Sequence, residues 1–301
     1  MRTARLLQVS LAVQVIAGAA LAAWLLPAGG WRWLALPIGL AAPGVTTVTS
    51  LALQLIIDAC IDPRLPRGGW RNALRVWAIE SKTSLAAFCW GQPFGDRFPD
   101  PPLVRDPARP AVLLVHGYVC NRAIWRPLLE SGCLARCNVA TVNLEPAFAG
   151  IDDYAAPLGA AVDALQRASG AARVTLVCHS MGGLAARAYL RAHPDAPVDR
   201  LITIATPHCG TLFAHFGSGR NSRQMRCGST WLAELAAATT PEQFARQVHI
   251  ASRDDNLINP RAGLVVDGAT SYWLEGVGHL AMVCDPRVWK VLAAELGCAG
   301  S

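Results

Sequence analysis

The chain has 301 residues, of which 52% are hydrophobic and 16% charged, and its mean hydropathy is +0.30. This composition excludes a disordered or strongly solvated chain, and the length is enough for a sizeable core. The net charge of +6 is concentrated in residues 1–75, where seven arginines stand against two aspartates. A folded basic surface is therefore not indicated, and we predict no nucleic-acid partner.

Two long uncharged segments come first along the chain. Residues 6–26 follow Arg2 and Arg5 without a charge, and residues 34–57 are uncharged as well. Because about 20 apolar residues cross a bilayer, residues 1–62 are predicted to form a transmembrane helical hairpin, an anchor in a membrane of the bacterial inner-membrane type. A cleavable signal peptide is the alternative for the first segment. An in-plane or re-entrant segment is the alternative for the second, which contains prolines, glycines and hydroxyl side chains.

Arginines flank these two segments unequally. Arg2 and Arg5 precede the first segment, and only Arg32 lies between the two. Four arginines follow the second: Arg64, Arg67, Arg71 and Arg75. Since basic flanking residues are retained on the cytoplasmic side, we predict a cytoplasmic catalytic domain. A periplasmic domain is the alternative, and it requires that the second segment does not span.

Residues 63–108 are predicted to connect the hairpin to the catalytic domain. The first part, residues 64–80, carries Trp70, Leu74 and Trp77 at helical spacing. That spacing favours an amphipathic helix on the membrane surface. The prolines from position 93 onward are expected to interrupt any regular element.

Short apolar segments alternate with helical stretches over residues 109–301, the predicted catalytic domain. We predict strands at 111–115, 139–144, 173–178, 200–205, 247–251 and 270–274, and helices at 155–168, 183–192 and 286–296. Strands that are apolar throughout are typical of a mostly parallel sheet covered by helices on both faces. The predicted fold class is therefore α/β.

The third predicted strand leads directly into the turn His-Ser-Met-Gly-Gly. Ser180 lies in this turn, and the small residues Cys178 and Gly182 stand two positions before and after it. A serine on a sharp turn from strand to helix is presented as a nucleophile when small neighbours let the backbone fold tightly. The alternative is a serine that only caps the helix.

Five motifs together resemble the α/β-hydrolase superfamily, and within it bacterial lipases and esterases. They lie at residues 116–118, 178–183, 206–211, 255–260 and 278–280. The resemblance implies the α/β-hydrolase fold and a catalytic triad in the chain order Ser, Asp or Glu, His. The implied activity is hydrolysis of carboxylic esters, including lipids, through an acyl-enzyme. The sequence has no phosphate-binding loop and no coherent set of metal ligands, so we predict no cofactor and no metal ion.

The predicted catalytic residues follow from this order. Ser180 is the nucleophile, and His279, which comes after the last predicted strand, is the base. The pattern Asp-x-x-Ile-x-Pro puts Asp255 at the position that similar lipases use for the acid. Asp254 and Asp267 are the alternatives.

Two backbone N–H groups are predicted to form the oxyanion hole. One belongs to Met181, which follows the nucleophile, and the other to Tyr118, which follows the His-Gly pair after the first strand. His116 and His179 precede these positions and are expected to shape the site.

Residues 207–246 form an insertion between two predicted strands. We predict that this insertion is a lid or a wall of the acyl pocket, and an ordinary helical excursion on the surface is the alternative. The ten cysteines are scattered without a C-x-x-C pair and are interpreted mostly as small apolar fillers. Cys209 and Cys227 are candidates for a bridge in an oxidising compartment.

Two other functions are compatible with these residues. An acyltransferase or thioesterase would use the same triad with a different acceptor or substrate. A catalytically silent scaffold, tethered to the membrane, would use only the fold. The intact serine, aspartate and histidine in the expected order argue against the scaffold.

Overall fold

The computed structural model describes residues 2–26, 31–61 and 68–298. Arg64, Arg67 and most of the loop between the two apolar segments lie outside the described residues. The helices are α1 (Thr3–Leu25), α2 (Ala35–Ile61), α3 (Gly69–Ser84), α4 (Gln92–Phe94), α5 (Arg126–Glu130), α6 (Ala155–Ser169), α7 (Met181–Ala192), α8 (Gly219–Gln224), α9 (Thr230–Ala237), α10 (Pro241–Ala245) and α11 (Pro286–Glu295). The strands are β1 (Ala111–Val115), β2 (Asn138–Val142), β3 (Val174–His179), β4 (Val198–Ile204), β5 (Gln247–Ser252) and β6 (Thr270–Leu274).

The six strands form one parallel sheet in the order β2-β1-β3-β4-β5-β6. From β1 the chain adds β2 on one side and then β3 to β6 on the other, so the strand order reverses between β1 and β3. Open parallel sheets bind ligands beyond the carboxyl ends of their strands at such a reversal. A ligand site is therefore expected at the segments that follow β1 and β3.

Side chains of the central strands alternate between two apolar cores, one on each face of the sheet. Val112 and Leu114 of β1 belong to the core that includes Trp125 and residues of α11. Leu113 and Val115 belong to the core that includes residues of α6 and α7. The predicted α/β class, with helices on both faces, is confirmed.

Helices α1 and α2 pack against each other as a hairpin. A Cβ added to Gly39 would lie 2.6 Å from the Cβ of Ala19, and one added to Gly18 would lie 2.7 Å from the Cβ of Ala42. Such close approach at small residues is typical of paired membrane helices. By length and composition alone both helices can cross a membrane, and only 6% and 11% of their most apolar stretches are buried. The second segment forms one helix even though it contains Pro43.

The connector has more regular structure than expected. Helix α3 continues through a π-helical turn, Leu85–Gly91, into α4, so helical structure passes Pro93 and ends at Phe94. Pro93 has no N–H to donate to the preceding turn, and the helix ends one residue after it. The exposed side of α3 carries Trp70 and Leu74, whereas its other side is buried.

One disulfide bond joins Cys137, just before β2, to Cys298, beyond α11. The sequence did not indicate this pair, because the two cysteines are 161 residues apart and meet only through the packing of the fold. Cys209 and Cys227, the pair suggested by the sequence, are free thiols in this structure. Cys137 and Cys298 are exceptions to the interpretation of the cysteines as mostly small apolar fillers.

Candidate active site

The nucleophile turn connects β3 to α7. Ser180 has φ +55° and ψ −128°, a backbone conformation that is unfavourable for a serine and is held by its N–H, which donates to the carbonyl oxygen of Ile204 at 2.8 Å. A Cβ at Gly182 would lie 2.6 Å from the carbonyl oxygen of His116, so only glycine fits at this position. Cys178 is fully buried in the position where a small residue is required. The local sequence thus accounts for the sharp turn.

The structure brings the three predicted catalytic residues together. His279 Nε2 lies 3.0 Å from Ser180 Oγ, and His279 Nδ1 lies 2.8 Å from Asp255 Oδ2. All three residues are buried, with exposed fractions of 7% or less. Because a carboxylate can only accept, the proton sits on Nδ1 and Nε2 is free to accept from the serine hydroxyl. The geometry is that of a hydroxyl paired with a base that a carboxylate orients.

The two adjacent aspartates point in different directions. The second oxygen of Asp255 accepts the backbone N–H groups of Leu257 and Ile258, both at 2.8 Å. Asp254 instead accepts from an asparagine of α3 and from a backbone N–H in the loop after β6. Asp267 is exposed and lies in the turn before β6. Of the three candidates, the structure brings Asp255 to the histidine.

Burial and charge set the protonation of this pair. Burial raises the pKa of Asp255, but the charge and hydrogen bond of His279 and the two backbone N–H groups outweigh it, so the net pKa is lowered. Burial lowers the pKa of His279, but the charge and hydrogen bond of Asp255 and the charge of Glu80 outweigh it, so the net pKa is raised. The carboxylate is therefore ionised when the histidine accepts a proton, and it stabilises the resulting imidazolium.

The two amides predicted for the oxyanion hole lie beside the serine. Met181 is the first residue of α7, and Tyr118 lines the same cavity as Ser180. Gly117 packs directly on the nucleophile, since a Cβ there would lie 2.8 Å from the Cβ of Ser180. Neither amide donates to another group within the described part of the chain. Both are available to an oxygen placed next to Ser180.

The two histidines beside these positions are neutral and committed to other contacts. His116 Nε2 accepts the N–H of Leu144 at 2.9 Å, and burial lowers the pKa of His116 to about 4. His179 Nε2 lies 3.2 Å from the carbonyl oxygen of His279, and burial lowers the pKa of His179 to about 3. Each histidine contacts the backbone around the site, and their role in shaping it stays a prediction.

Ser180 opens into a cavity of about 150 Å³ that the catalytic domain does not enclose alone. Helix α2 contributes Leu51 and Gln54 to its wall, and α3 with the π-helical turn contributes Glu80, Ser84 and Phe88. The insertion 207–246 is described throughout, and none of its residues is among those that line this cavity. The lid function of the insertion stays a prediction.

Two polar side chains outside the predicted set hold the histidine. Glu80 accepts the backbone N–H groups of Leu280 and Ala281 at 2.8 and 2.9 Å. The side chain of Asn256 accepts the backbone N–H of His279 at 2.9 Å and donates to Gln54 of α2 at 3.0 Å. Sequence reasoning missed Glu80 because a glutamate on an amphipathic helix usually belongs to a solvated face. Among the described residues, no group of three His, Cys, Asp or Glu side chains could hold a metal ion.

Residues 110–248 match the sequence profile of the family described as alpha/beta hydrolase fold. Among solved structures, the mature form of the Bacillus licheniformis lipase BlEst2 is similar with a TM-score of 0.57 and 19% identity, over 65% of this chain and 96% of that one. Aspergillus fumigatus lipase B is similar with a TM-score of 0.56 and 14% identity, over 64% of this chain and 53% of that one. No curated protein matches the chain. At these identities the two structures show a shared fold.

Proposed function

Because this chain has an α/β-hydrolase fold, we propose that it is a membrane-anchored serine hydrolase that cleaves carboxylic esters. The observation that carries the proposal is the pair of hydrogen bonds that runs from Ser180 through His279 to Asp255. A hydroxyl becomes a nucleophile when an adjacent base takes its proton and a carboxylate orients that base. The two solved lipases named above have the same fold, and their activity is consistent with this reaction.

The proposed reaction has two steps. Ser180 Oγ attacks the ester carbonyl while His279 Nε2 takes its proton, and the N–H groups of Tyr118 and Met181 stabilise the negative charge on the carbonyl oxygen. His279 then donates this proton to the departing alcohol, which leaves an acyl group on Ser180. Water, deprotonated by His279, attacks the acyl-enzyme. The bond between the acyl carbon and Ser180 Oγ then breaks, His279 returns the proton to Oγ, and the acid is released. Asp255 stays ionised throughout.

A fluorophosphonate probe tests the nucleophile. The full-length protein in detergent is expected to react with the probe and to hydrolyse p-nitrophenyl acetate. Ser180→Ala and His279→Ala should each lower hydrolysis at least about 10³-fold, because members of a triad act as a unit. Ser180→Ala with more than a few per cent of wild-type turnover would contradict the assignment. A wild-type protein that neither reacts nor hydrolyses would favour the silent scaffold, and product analysis with an added alcohol separates hydrolysis from acyl transfer.

We also propose that α1 and α2 are a retained membrane anchor. Large apolar side chains on both helices are exposed, among them Ile16 at 68% and Leu40 at 63%. The backbone N–H of Thr3, the first residue of α1, donates to Glu145 of the catalytic domain at 3.0 Å, a contact that favours retention over cleavage. Intact mass measurement and resistance to alkaline carbonate extraction test retention and anchoring. A chain that lacks α1, or one released by carbonate, would contradict the anchor.

A further inference from the structure

The second helix of the hairpin is part of the active site. Leu51 and Gln54 of α2 line the cavity that contains Ser180. Gln54 is hydrogen-bonded to Asn256, whose side chain holds the backbone of His279. The helix that anchors the protein therefore also forms a wall around the reacting groups.

The position of these residues along α2 relates the cavity to the membrane. Leu51 and Gln54 precede Asp58, the first charged residue of α2, by seven and four residues, or about 10 and 6 Å of helix. At the same level but on other faces of α2, Leu53 and Ile56 are 56% and 58% exposed. One stretch of helix thus faces the reacting groups on one side and presents apolar side chains outward on another. Such a stretch fits the edge of the hydrocarbon layer, where the ester groups of lipids lie.

The π-helical turn, which also lines the cavity, has an exposed apolar side as well. Phe88 of the π-helical turn lines the cavity, while Trp90 and Phe94, just after it, are 74% and 57% exposed. Exposed aromatic side chains are favoured where a membrane meets water. Lys82, one turn before this segment, gives the same region a basic residue that suits lipid headgroups.

The cavity itself is small and mostly apolar. Its volume of about 150 Å³ is below the roughly 300–1,000 Å³ typical of ligand sites. Leu51, Phe88, Leu257 and Leu280 line it, which suits the carbons next to an ester. The remainder of a long acyl chain must therefore lie outside the cavity, and the surroundings of α2 provide an apolar medium for it.

We propose that the substrate is a long-chain ester embedded in the bilayer, and that it reaches Ser180 from the membrane beside α2 without passing through water. This inference rests on the proposed serine hydrolase function. The acyl carbons next to the carbonyl occupy the cavity, and the rest of the chain stays in the hydrocarbon layer.

Two populations of vesicles made of diether phospholipid, which has no ester bond, test the route. Full-length protein is reconstituted into one population, and dioleoylglycerol is placed either in the same vesicles or only in the other population. Release of oleate is expected to be at least about ten-fold faster from the shared vesicles, because a common membrane raises the effective concentration of the ester. Hydrolysis of p-nitrophenyl acetate, measured in parallel, should be equal in both arrangements.

The outcomes separate this inference from the proposed function. Equal oleate release in the two arrangements, or none from the shared vesicles while p-nitrophenyl acetate is hydrolysed, overturns the membrane route and leaves the hydrolase. Failure with both esters and with the fluorophosphonate probe overturns the hydrolase, and the inference with it.

A matched pair of substitutions on α2 tests whether this helix forms part of the substrate cavity. Leu51→Trp, which fills the cavity, is expected to lower dioleoylglycerol hydrolysis by about ten-fold or more. Leu53→Trp, on the exposed face of the same helix, should stay within about two-fold of wild type. Similar effects from both variants would overturn the role of α2, and so would unchanged activity in Leu51→Trp.

Discussion

Glu80 places a buried carboxylate directly beside the loop of the proposed catalytic base. Its two oxygens accept the backbone N–H groups of Leu280 and Ala281, the two residues after His279. The side chain is only 3% exposed, and burial raises the pKa of Glu80. The charge of the carboxylate contributes to the raised pKa of His279. We therefore interpret Glu80 as a positioning residue that acts through the histidine loop.

Glu80→Gln is expected to affect both the activity and its pH dependence. Glutamine has one acceptor oxygen, so one of the two loop N–H groups loses its partner, and the negative charge is lost as well. We expect kcat/KM for p-nitrophenyl acetate to fall about ten-fold or more. The base works only when neutral, so activity is lost as the pH falls through the raised pKa of His279. Without the charge of Glu80 the pKa of His279 is lower. The acid limb, the part of the pH profile in which activity falls at low pH, should therefore move to lower pH.

A pH profile over roughly pH 5–9 measures this shift. Glu130→Gln is the matched control, because Glu130 is exposed and pairs with Arg126 on the surface. A merely structural role would lower activity without moving the acid limb, and that result would contradict the electrostatic part of the argument.

Substitution of the two adjacent aspartates tests which of them orients His279. Asp255→Asn keeps the size of the side chain but leaves His279 Nδ1 without its charged acceptor, and we expect a loss of about 10²–10⁴-fold in kcat. Asp254→Asn, one position away and pointing elsewhere, should stay within about three-fold of wild type. The rate of p-nitrophenyl acetate hydrolysis decides between them. A larger loss in Asp254→Asn would move the acid by one position.

The sequence predicted the serine, aspartate and histidine that contact one another at the site. It did not predict the side chains of the N-terminal helices that support them. Ser180, Asp255 and His279 stand in motifs whose chemistry is local and can be read from a few neighbours. Glu80 and Gln54 come from the N-terminal helices, and their contacts lie 200 and 202 residues away along the chain. No local pattern distinguishes such a glutamate or glutamine from one exposed to solvent or lipid.

The strands and helices of the catalytic domain were predicted more fully than the packing of the N-terminal helices. All six strands were identified. The clearest is the central strand β1, which is buried and apolar along its whole length. The α/β-hydrolase fold predicted from these elements and motifs is confirmed. The burial of one side of α3 was not predicted, because an amphipathic pattern shows which face is apolar and not what covers it.

The close packing of α1 against α2 depends on individual glycines, and substitution of one of them tests this dependence. A Cβ at Gly39 would lie 2.6 Å from both the Cβ of Ala19 and the carbonyl oxygen of Val15. Gly39→Ala is therefore expected to separate the helices and to cost about 1–3 kcal/mol of stability, as overpacking does.

Gly44→Ala is the matched control on the same helix. A Cβ there would lie 3.7 Å from Leu85, which is an ordinary contact. Thermal unfolding of both full-length variants in the same detergent measures the difference. An equal effect of the two substitutions would mean that the close approach at Gly39 does not stabilise the hairpin.

Both ends of the hairpin, the start of α1 and the end of α2, contact the catalytic domain. Thr3, at the start of α1, donates its N–H to Glu145. Near the end of α2, Asp58 pairs with Arg261 at 3.0 Å and accepts from Asn259 at 2.9 Å. The Asp58 side chain is 2% exposed, and removal of one partner from a buried ion pair is strongly destabilising. If the hairpin spans the membrane, its two ends and the catalytic domain are therefore on the same side.

We predict that this side is the cytoplasm. Arg2 and Arg5 stand at the start of α1, and in the sequence four arginines at positions 64–75 follow α2, whereas only Arg32 lies between the two helices. Because segments with basic flanking residues remain on the cytoplasmic side, the catalytic domain is expected to lie in the cytoplasm. Cytosolic reductants keep thiols reduced, so we expect Cys137 and Cys298 to be thiols in the cell and to form their bond only after the protein is oxidised on extraction.

Two measurements in intact cells decide the side of the membrane. A fluorescent protein fused after residue 301 should be bright, and alkaline phosphatase fused at the same place should be inactive, because it requires an oxidising compartment. Trapping of thiols with an alkylating reagent before lysis should label Cys137 in the wild type, with Cys137→Ser as the control for that site. An active phosphatase together with an unlabelled Cys137 would contradict the prediction and place the catalytic domain in the periplasm, with the Cys137–Cys298 bond formed there.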